Sequence, residues 1–143
     1  MKMKRGLGFA LGVGALFGAA SFAAPVYAED ICADSTIETT CTAGTIDELL
    51  SGTSNANVET INLSNTINIA ASAALDITNK TIVSGSYDAF VVTGEDVVFD
   101  ISGDGEIRSG RYVVDVENGS TVNLAGGTLR TTGTGGFYGV YLY

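Results

Sequence analysis

The chain has 143 residues, no histidine, seven Lys or Arg against sixteen Asp or Glu, and a formal net charge of −9. So acidic a chain cannot present the clustered cations that neutralise phosphates, which excludes nucleic acid as a partner. Without histidine, acid–base chemistry near neutral pH falls to carboxylates with raised pKa values or to arginine.

Residues 1–28 read as an export signal. Lys2, Lys4 and Arg5 form a basic start, Leu7 to Phe22 an uncharged apolar stretch, and Val26-Tyr27-Ala28 a small-residue site, so cleavage after Ala28 is expected. The competing reading, a retained membrane anchor, is opposed by the glycines between Gly6 and Gly18 and by Pro25. Removal of this segment leaves Lys80, Arg108, Arg111 and Arg130 as the cations of a 115-residue chain of net charge −12, the size of one small domain. Its acidity fits a solvated surface that keeps an exported repeat protein soluble.

Cys32 and Cys41 follow the signal. In an exported chain they are expected to form a disulfide closing a small loop. Two thiols without histidine make a poor metal site, and Glu29-Asp30-Ile31 is not the small, apolar context of a lipidated cysteine. Next, Thr45-Ile46-Asp47-Glu48 has the spacing of a helix capping box. A short helix is expected with Ile46, Leu49 and Leu50 on one face, ending at Ser51-Gly52, and Thr53 to Asn57 reads as a loop. The disulfide loop and cap thus occupy residues 29–57.

From Val58 the apolar period becomes two, as in Ile61-x-Leu63 and Ile67-x-Ile69, the signature of short strands with one buried face. Three imperfect repeats of about 23 residues then follow. The first carries Leu75, Ile77, Ile82, Gly85 and Tyr87; the second Phe99, Ile101, Ile107, Gly110 and Tyr112; the third Val122, Leu124, Leu129, Gly133 and Phe137. Gly, Asn, Asp, Ser and Thr separate the apolar clusters and supply turns. Such a repeat cannot bury its own apolar face, so it must stack on its neighbours. About three short strands per period suit one coil of a right-handed parallel β-helix, an all-β solenoid over residues 58–143 with a short N-terminal capping helix. The matched spacing argues against a β-sandwich or a barrel. Leu75, Ile77, Ile82, Phe99, Ile101, Ile107, Val122, Leu124 and Leu129 are expected to point inward.

The order of cap, Glu59-Thr-Ile-Asn-Leu63, Thr66-Ile-Asn-Ile69, Leu75-Asp-Ile77 and Lys80-Thr-Ile-Val-Ser-Gly85 resembles the opening of pectate-lyase-like β-helices. The resemblance covers residues 45 to about 133 and implies an architecture shared by enzymes, adhesins, autotransporter passengers and tailspikes, so it does not fix a function. Enzymes of that superfamily use Ca²⁺-binding aspartates with an arginine base, or paired aspartates with Gly-His-Gly and Arg-x-Lys motifs. None of these motifs occurs here, and no residue inherits a catalytic role.

The remaining candidates are weaker. Asp96, Asp100, Asp104 and Glu106, with Arg108 and Arg111 nearby, would have to converge to hold Ca²⁺; turns attract carboxylates for solvation alone, so no metal or other cofactor is expected. The Asn62, Asn79 and Asn118 glycosylation sequons read as by-products of polar turns in a chain with a bacterial type of signal. Tyr87, Tyr112, Tyr138, Tyr141 and Tyr143 would make a sugar-stacking stripe if they projected outward, but the repeat positions of Tyr87 and Tyr112 favour a structural ladder. The expectation is a non-enzymatic, exported, cell-surface segment with a structural or adhesive role, meeting a glycan or a host or neighbouring cell surface; the alternative is the N-terminal part of a polysaccharide lyase or glycoside hydrolase. Val140 to Tyr143 remain strand-like, so the coils are expected to be incomplete at the C-terminus and to self-associate through that open end.

Overall fold

The computed structural model describes residue 32 and residues 39–143. The expected export signal, residues 1–28, lies outside the described residues. In chain order the elements are β1 (Thr40–Ala43), α1 (Ile46–Ser54), β2 (Thr60–Leu63), β3 (Ile67–Ile69), β4 (Ala73–Asp76), β5 (Thr81–Val83), β6 (Phe90–Thr93), β7 (Val98–Ser102), β8 (Glu106–Ser109), β9 (Val114–Glu117), β10 (Thr121–Ala125), β11 (Thr128–Thr131) and β12 (Val140–Leu142). Three sheets form, in the orders β1-β2-β5-β8-β11, β3-β6-β9-β12 and β4-β7-β10. Every pairing is parallel. From β2 onward each strand pairs with the one three places later, so the chain winds as a parallel β-solenoid of about four turns. Parallel pairing throughout excludes the sandwich.

Alternation within each strand sends one set of side chains into the lumen, and the pairing stacks these sets into rows. One row runs Cys41, Ile61, Ile82, Ile107 and Leu129. A second runs Ile67, Phe90, Val114 and Val140. The third sheet supplies Ala73, Phe99 and Val122 beside Leu75, Ile101 and Leu124. The Phe90 and Phe99 rings meet across the lumen with centroids 5.2 Å apart. Burying each such side chain contributes roughly 1.5–3 kcal/mol.

Two sequence expectations about this core are corrected. The repeat alignment set Leu75 opposite Phe99, whereas the strands pair Ala73 with Phe99 and Leu75 with Ile101. A slip of two residues leaves every side chain on its original face, so the inward assignment of Leu75 and Ile77 survives the wrong register. Ile77 belongs to the corner after β4. Its N–H donates to the Ser102 carbonyl at 2.8 Å, and a Cβ on Gly105 would lie 2.1 Å from its carbonyl oxygen, one on Gly127 2.8 Å from its Cδ1. Leu124 was expected inside but is 47 % exposed. It points into the lumen from β10, whose outer edge has no partner among the described residues, so nothing lies over it. Val122 and Leu129 are half-buried for the same reason.

The capping box forms as the spacing predicts. Glu48 N–H donates to Thr45 Oγ1 at 3.3 Å, and Glu48 Oε2 accepts from the N–H groups of Thr45 at 2.9 Å and Gly44 at 2.6 Å. Leu49 is fully buried, with Ile46 and Leu50 packed beside the core. The helix does not stop at Ser51-Gly52 but runs through Ser54, so Thr53 and Ser54 are helical. Gly52 is buried because a side chain there would strike Ile61 Cδ1 at 2.9 Å and Cys32 Sγ at 3.2 Å. Its role is close packing of the cap on the first coil. Cys41 lies on β1, a strand paired with β2, so the sheet begins at Thr40 within the segment read as loop and cap.

Candidate functional site

The acidic residues that might have held a cation do not converge. Asp100 Oδ1 accepts from Asn123 Nδ2 at 2.7 Å on the outer face of β7 and β10. Asp104 Oδ1 accepts from the Asn79 N–H at 2.9 Å, and Asp96 holds a left-handed turn at φ 63°. Glu106 pairs with Arg108 and lies 3.9 Å from Arg130. The Arg108 hydrogen bond lowers its pKa, the charges of Arg108 and Arg130 adding to the effect. Asp76 is lowered likewise by the Thr78 hydroxyl and N–H. Among the described residues no group of three or more Cys, Asp or Glu side chains is placed to share a metal ion. Asn79 and Asn118 take left-handed φ angles of 59° and 51°, the turn role read from their sequons.

The tyrosines also sort differently from the repeat pattern. Tyr87 turns toward the preceding coil and donates its hydroxyl to the Leu63 carbonyl at 2.6 Å. Tyr112 instead stacks on Tyr141, with centroids 4.6 Å apart and planes 9° from parallel, while Phe137 meets its edge at 5.6 Å. The expected Tyr87–Tyr112 ladder is therefore absent, because the Leu63 carbonyl draws Tyr87 away from the column. The Arg111 guanidinium lies 5.5 Å from the Tyr112 centroid and 5.9 Å from that of Phe137.

These rings border the molecule's most unusual charged group. Asp115 projects outward from β9, between Val91 and Tyr141 in the register. Its Oδ1 is buried and has no hydrogen-bond partner. Desolvation raises its pKa, the nearby charges of Glu117 and Asp88 raise it further, and Arg111 opposes them. Asp88 is itself nearly buried, with Oδ2 3.1 Å from Arg111 Nη1 and Oδ1 accepting from the Tyr112 N–H at 3.0 Å. The resulting patch of Arg111, Tyr112, Asp115, Phe137 and Tyr141, anchored by Asp88, sets aromatic rings beside a guanidinium and two carboxylates. Sequence reading named Arg111, Tyr112 and Tyr141 but missed Asp88 and Asp115. Their only signal was a carboxylate within three residues after the aromatic residue of the first two repeats, Tyr87 and Tyr112.

A second buried ion sits at the other end. Lys80 is 7 % exposed, and its Nζ donates to the carbonyls of Asn55 at 2.7 Å and Val58 at 2.6 Å. It satisfies carbonyls just past the C-terminus of α1, where the helix dipole favours a cation. Cys32 and Cys41 form a disulfide, and Asn55 Nδ2 donates to the Cys32 carbonyl at 3.0 Å. The disulfide and the ammonium together fasten the cap to the first coils. No helix among the described residues is long and apolar enough to cross a membrane.

The fold and the patch place the molecule in the class of parallel β-solenoids with a disulfide-fastened helical cap. Comparison with protein families, curated proteins and solved structures finds no match.

Proposed function

We propose that the chain is an exported, surface-associated β-helix segment of the pectate-lyase-like type, serving a structural or adhesive role. The observation that carries this reading is the disulfide across the cap and first strand of a solenoid. Such a bond persists in oxidising compartments outside the cytosol, which agrees with the basic and apolar segment at residues 1–28. A stacked solenoid is stiff along its axis and repeats its outward rows at every coil, which suits a spacer or contact surface. Adhesion falls to the patch around Tyr141, whose ring faces and carboxylates are the groups that pack against and hydrogen-bond hydroxylated rings; a glycan of a host or neighbouring cell is the proposed partner.

The test is expression of the whole chain in a bacterial host, followed by fractionation, intact mass and thiol counting. The expected product is outside the cytoplasm, begins at Glu29 and has no free thiol. Cytoplasmic protein that keeps Met1 and two thiols overturns the reading. Binding to immobilised cell-surface polysaccharides should weaken on Tyr141→Ala. Ca²⁺-dependent release of unsaturated uronides, lost on Asp100→Ala, would instead favour a carbohydrate-active enzyme.

A further inference from the structure

Asp115 stands where an ion is costly. It lies on the outward face of β9, and in the register its neighbours on that face are Val91 of β6 and Tyr141 of β12. Adjacent strands are about 4.8 Å apart, so a side chain there is flanked closely on both sides. Its Oδ1 is buried and accepts no hydrogen bond. Arg111, the cation that acts on it, is already engaged: Nη1 lies 3.1 Å from Asp88 Oδ2, and the guanidinium rests 5.5 Å from the Tyr112 centroid and 5.9 Å from that of Phe137. Asp88 has both oxygens occupied, by Arg111 and by the Tyr112 N–H.

Charged groups face this carboxyl from three segments. Glu117 follows it on β9, Asp88 stands at the corner before β6, and Arg111 at the corner before β9. β6 itself contributes Val91 and Thr93, which carry no charge, and β12 contributes Tyr141, a neutral phenol. Burial opposes a charge on Asp115 most strongly, Glu117 and Asp88 repel it, and Arg111 and the Val116 N–H favour it. Neither of the last two is hydrogen-bonded to Oδ1. Two arrangements relieve the cost. A proton on the carboxyl leaves Oδ1 a neutral acceptor, which is far cheaper to bury than an ion; alternatively, the charged group swings out to water. We propose that Asp115 is a proton-operated latch on the outer face of the solenoid: protonated, it stays between Val91 and Tyr141 with the Tyr112–Tyr141 stack closed, and deprotonated, it swings out and the stack opens.

Tyr141 couples the latch to the rings. It is the register neighbour of Asp115 and the stacking partner of Tyr112, with centroids 4.6 Å apart and planes 9° from parallel. A carboxylate that leaves its place must displace a flanking side chain. Val91 is short, β-branched and stiff at χ1, so the tyrosine ring is the part that moves. Acid favours closure, because the closed form binds the proton more tightly than the open one. As pH rises above the ordinary aspartate value, the closed-to-open ratio falls by up to about tenfold per pH unit until the raised value is passed. Tyr141 is also the ring assigned to glycan contact, so closure in acid presets that ring for binding. This corollary rests on the proposed function; the latch itself does not.

NMR of the carboxyl carbons and tyrosine rings of the disulfide-intact chain, recorded across pH 3–8, tests the latch. The expected result is one carboxyl, absent in Asp115→Asn, that titrates above the ordinary aspartate range while the Tyr112 and Tyr141 ring signals shift at the same midpoint. Near-UV circular dichroism should follow the same curve, with the tyrosine signal stronger in acid. In Asp115→Asn the rings should hold the closed position throughout. Glu117→Gln should keep the coupled titration but lower its midpoint, because one repelling charge is gone. Ring signals that stay constant while Asp115 titrates, ring shifts that persist unchanged in Asp115→Asn, or a stack that opens in acid would each overturn the proposal. Binding to immobilised cell-surface polysaccharides, measured at both ends of the same range, should be tighter in acid. No binding at either end, with the ring signals still titrating, overturns the glycan contact and upholds the latch.

Discussion

Replacing Gly110 with alanine would place a Cβ 2.1 Å from the Gly85 carbonyl oxygen, 2.8 Å from Ser86 Cα and 3.0 Å from the Gly85 carbonyl carbon. All three are backbone atoms of the preceding coil, so no side chain can swing aside. Reaching ordinary contact requires the coils to part locally by about 1.3 Å. That strains the flanking bonds from Ser84 N–H to the Arg108 carbonyl at 2.8 Å and from Ser109 Oγ to the Tyr87 carbonyl at 2.7 Å. Overpacking of this kind costs about 1–3 kcal/mol, and each weakened hydrogen bond adds about 1 kcal/mol. A loss of about 3 kcal/mol corresponds to a fall in melting temperature of roughly 10–20 °C for a domain of this size. Gly85 provides the control. It holds the equivalent place one coil earlier, but its added Cβ would meet only the Tyr87 ring, at 3.6 Å from Cε1 and 3.9 Å from Cζ, and its φ is not positive. Gly85→Ala should therefore be neutral or slightly stabilising. Thermal melts of the two disulfide-intact variants, followed by circular dichroism, measure the difference. If they melt within about 3 °C of each other, the close backbone stacking of the coils at this corner is refuted.

Removing the Lys80 ammonium by Lys80→Ala leaves two carbonyls without their donor and should lower stability by about 2–3 kcal/mol in chemical denaturation, charged hydrogen bonds being the stronger kind; an unchanged midpoint would mean the ammonium is replaceable by water. Cys32→Ser with Cys41→Ser should cost about 2–3 kcal/mol by the chain-entropy argument for a loop with sequence separation 9, and the loss should match that seen when the parent is unfolded under reducing conditions. Asp115 binds its proton more tightly when folded, because its pKa is raised chiefly by desolvation, so its contribution to stability falls as pH rises from the ordinary aspartate value through the raised one. Asp115→Asn should therefore be the more stable protein at pH 7, by on the order of 1 kcal/mol, with the advantage shrinking as pH is lowered through that window. Melts across pH 3–8 that show a constant difference would remove the titration from the account.

What the sequence determined by itself rests on short-range rules. Side chains two apart share a face, so Ile61 and Leu63, Ile67 and Ile69, and Phe99 and Ile101 were legible as lumen residues without any knowledge of pairing. The capping box was equally local: Thr45 and Glu48 are three residues apart, and their reciprocal bonds need nothing from the rest of the chain. The disulfide followed from two cysteines with no other partner to choose.

Tertiary structure alone decided whatever depends on one coil meeting another. Parity cannot distinguish registers that differ by two, so Leu75 was aligned with Phe99 until hydrogen bonding set it beside Ile101. Gly52 looked like a helix stop because its packing against Ile61 and Cys32 comes from residues remote in sequence. The Leu63 carbonyl took Tyr87 out of the aromatic column, and Tyr141, without a counterpart in the repeats, entered it. Leu124 has the inward parity of Ile101, yet parity describes a direction and burial requires a neighbour; the coil that would cover it is not supplied by the strands that stack below. Asp115 is unusual for the same reason: its raised pKa arises chiefly from desolvation where β6 and β9 lie side by side, with the charges of Glu117 and Asp88 adding to it. In a solenoid the alternation along a strand is written in neighbouring residues. The distances between coils, which make a carboxylate costly or a glycine indispensable, exist only after the stack has formed.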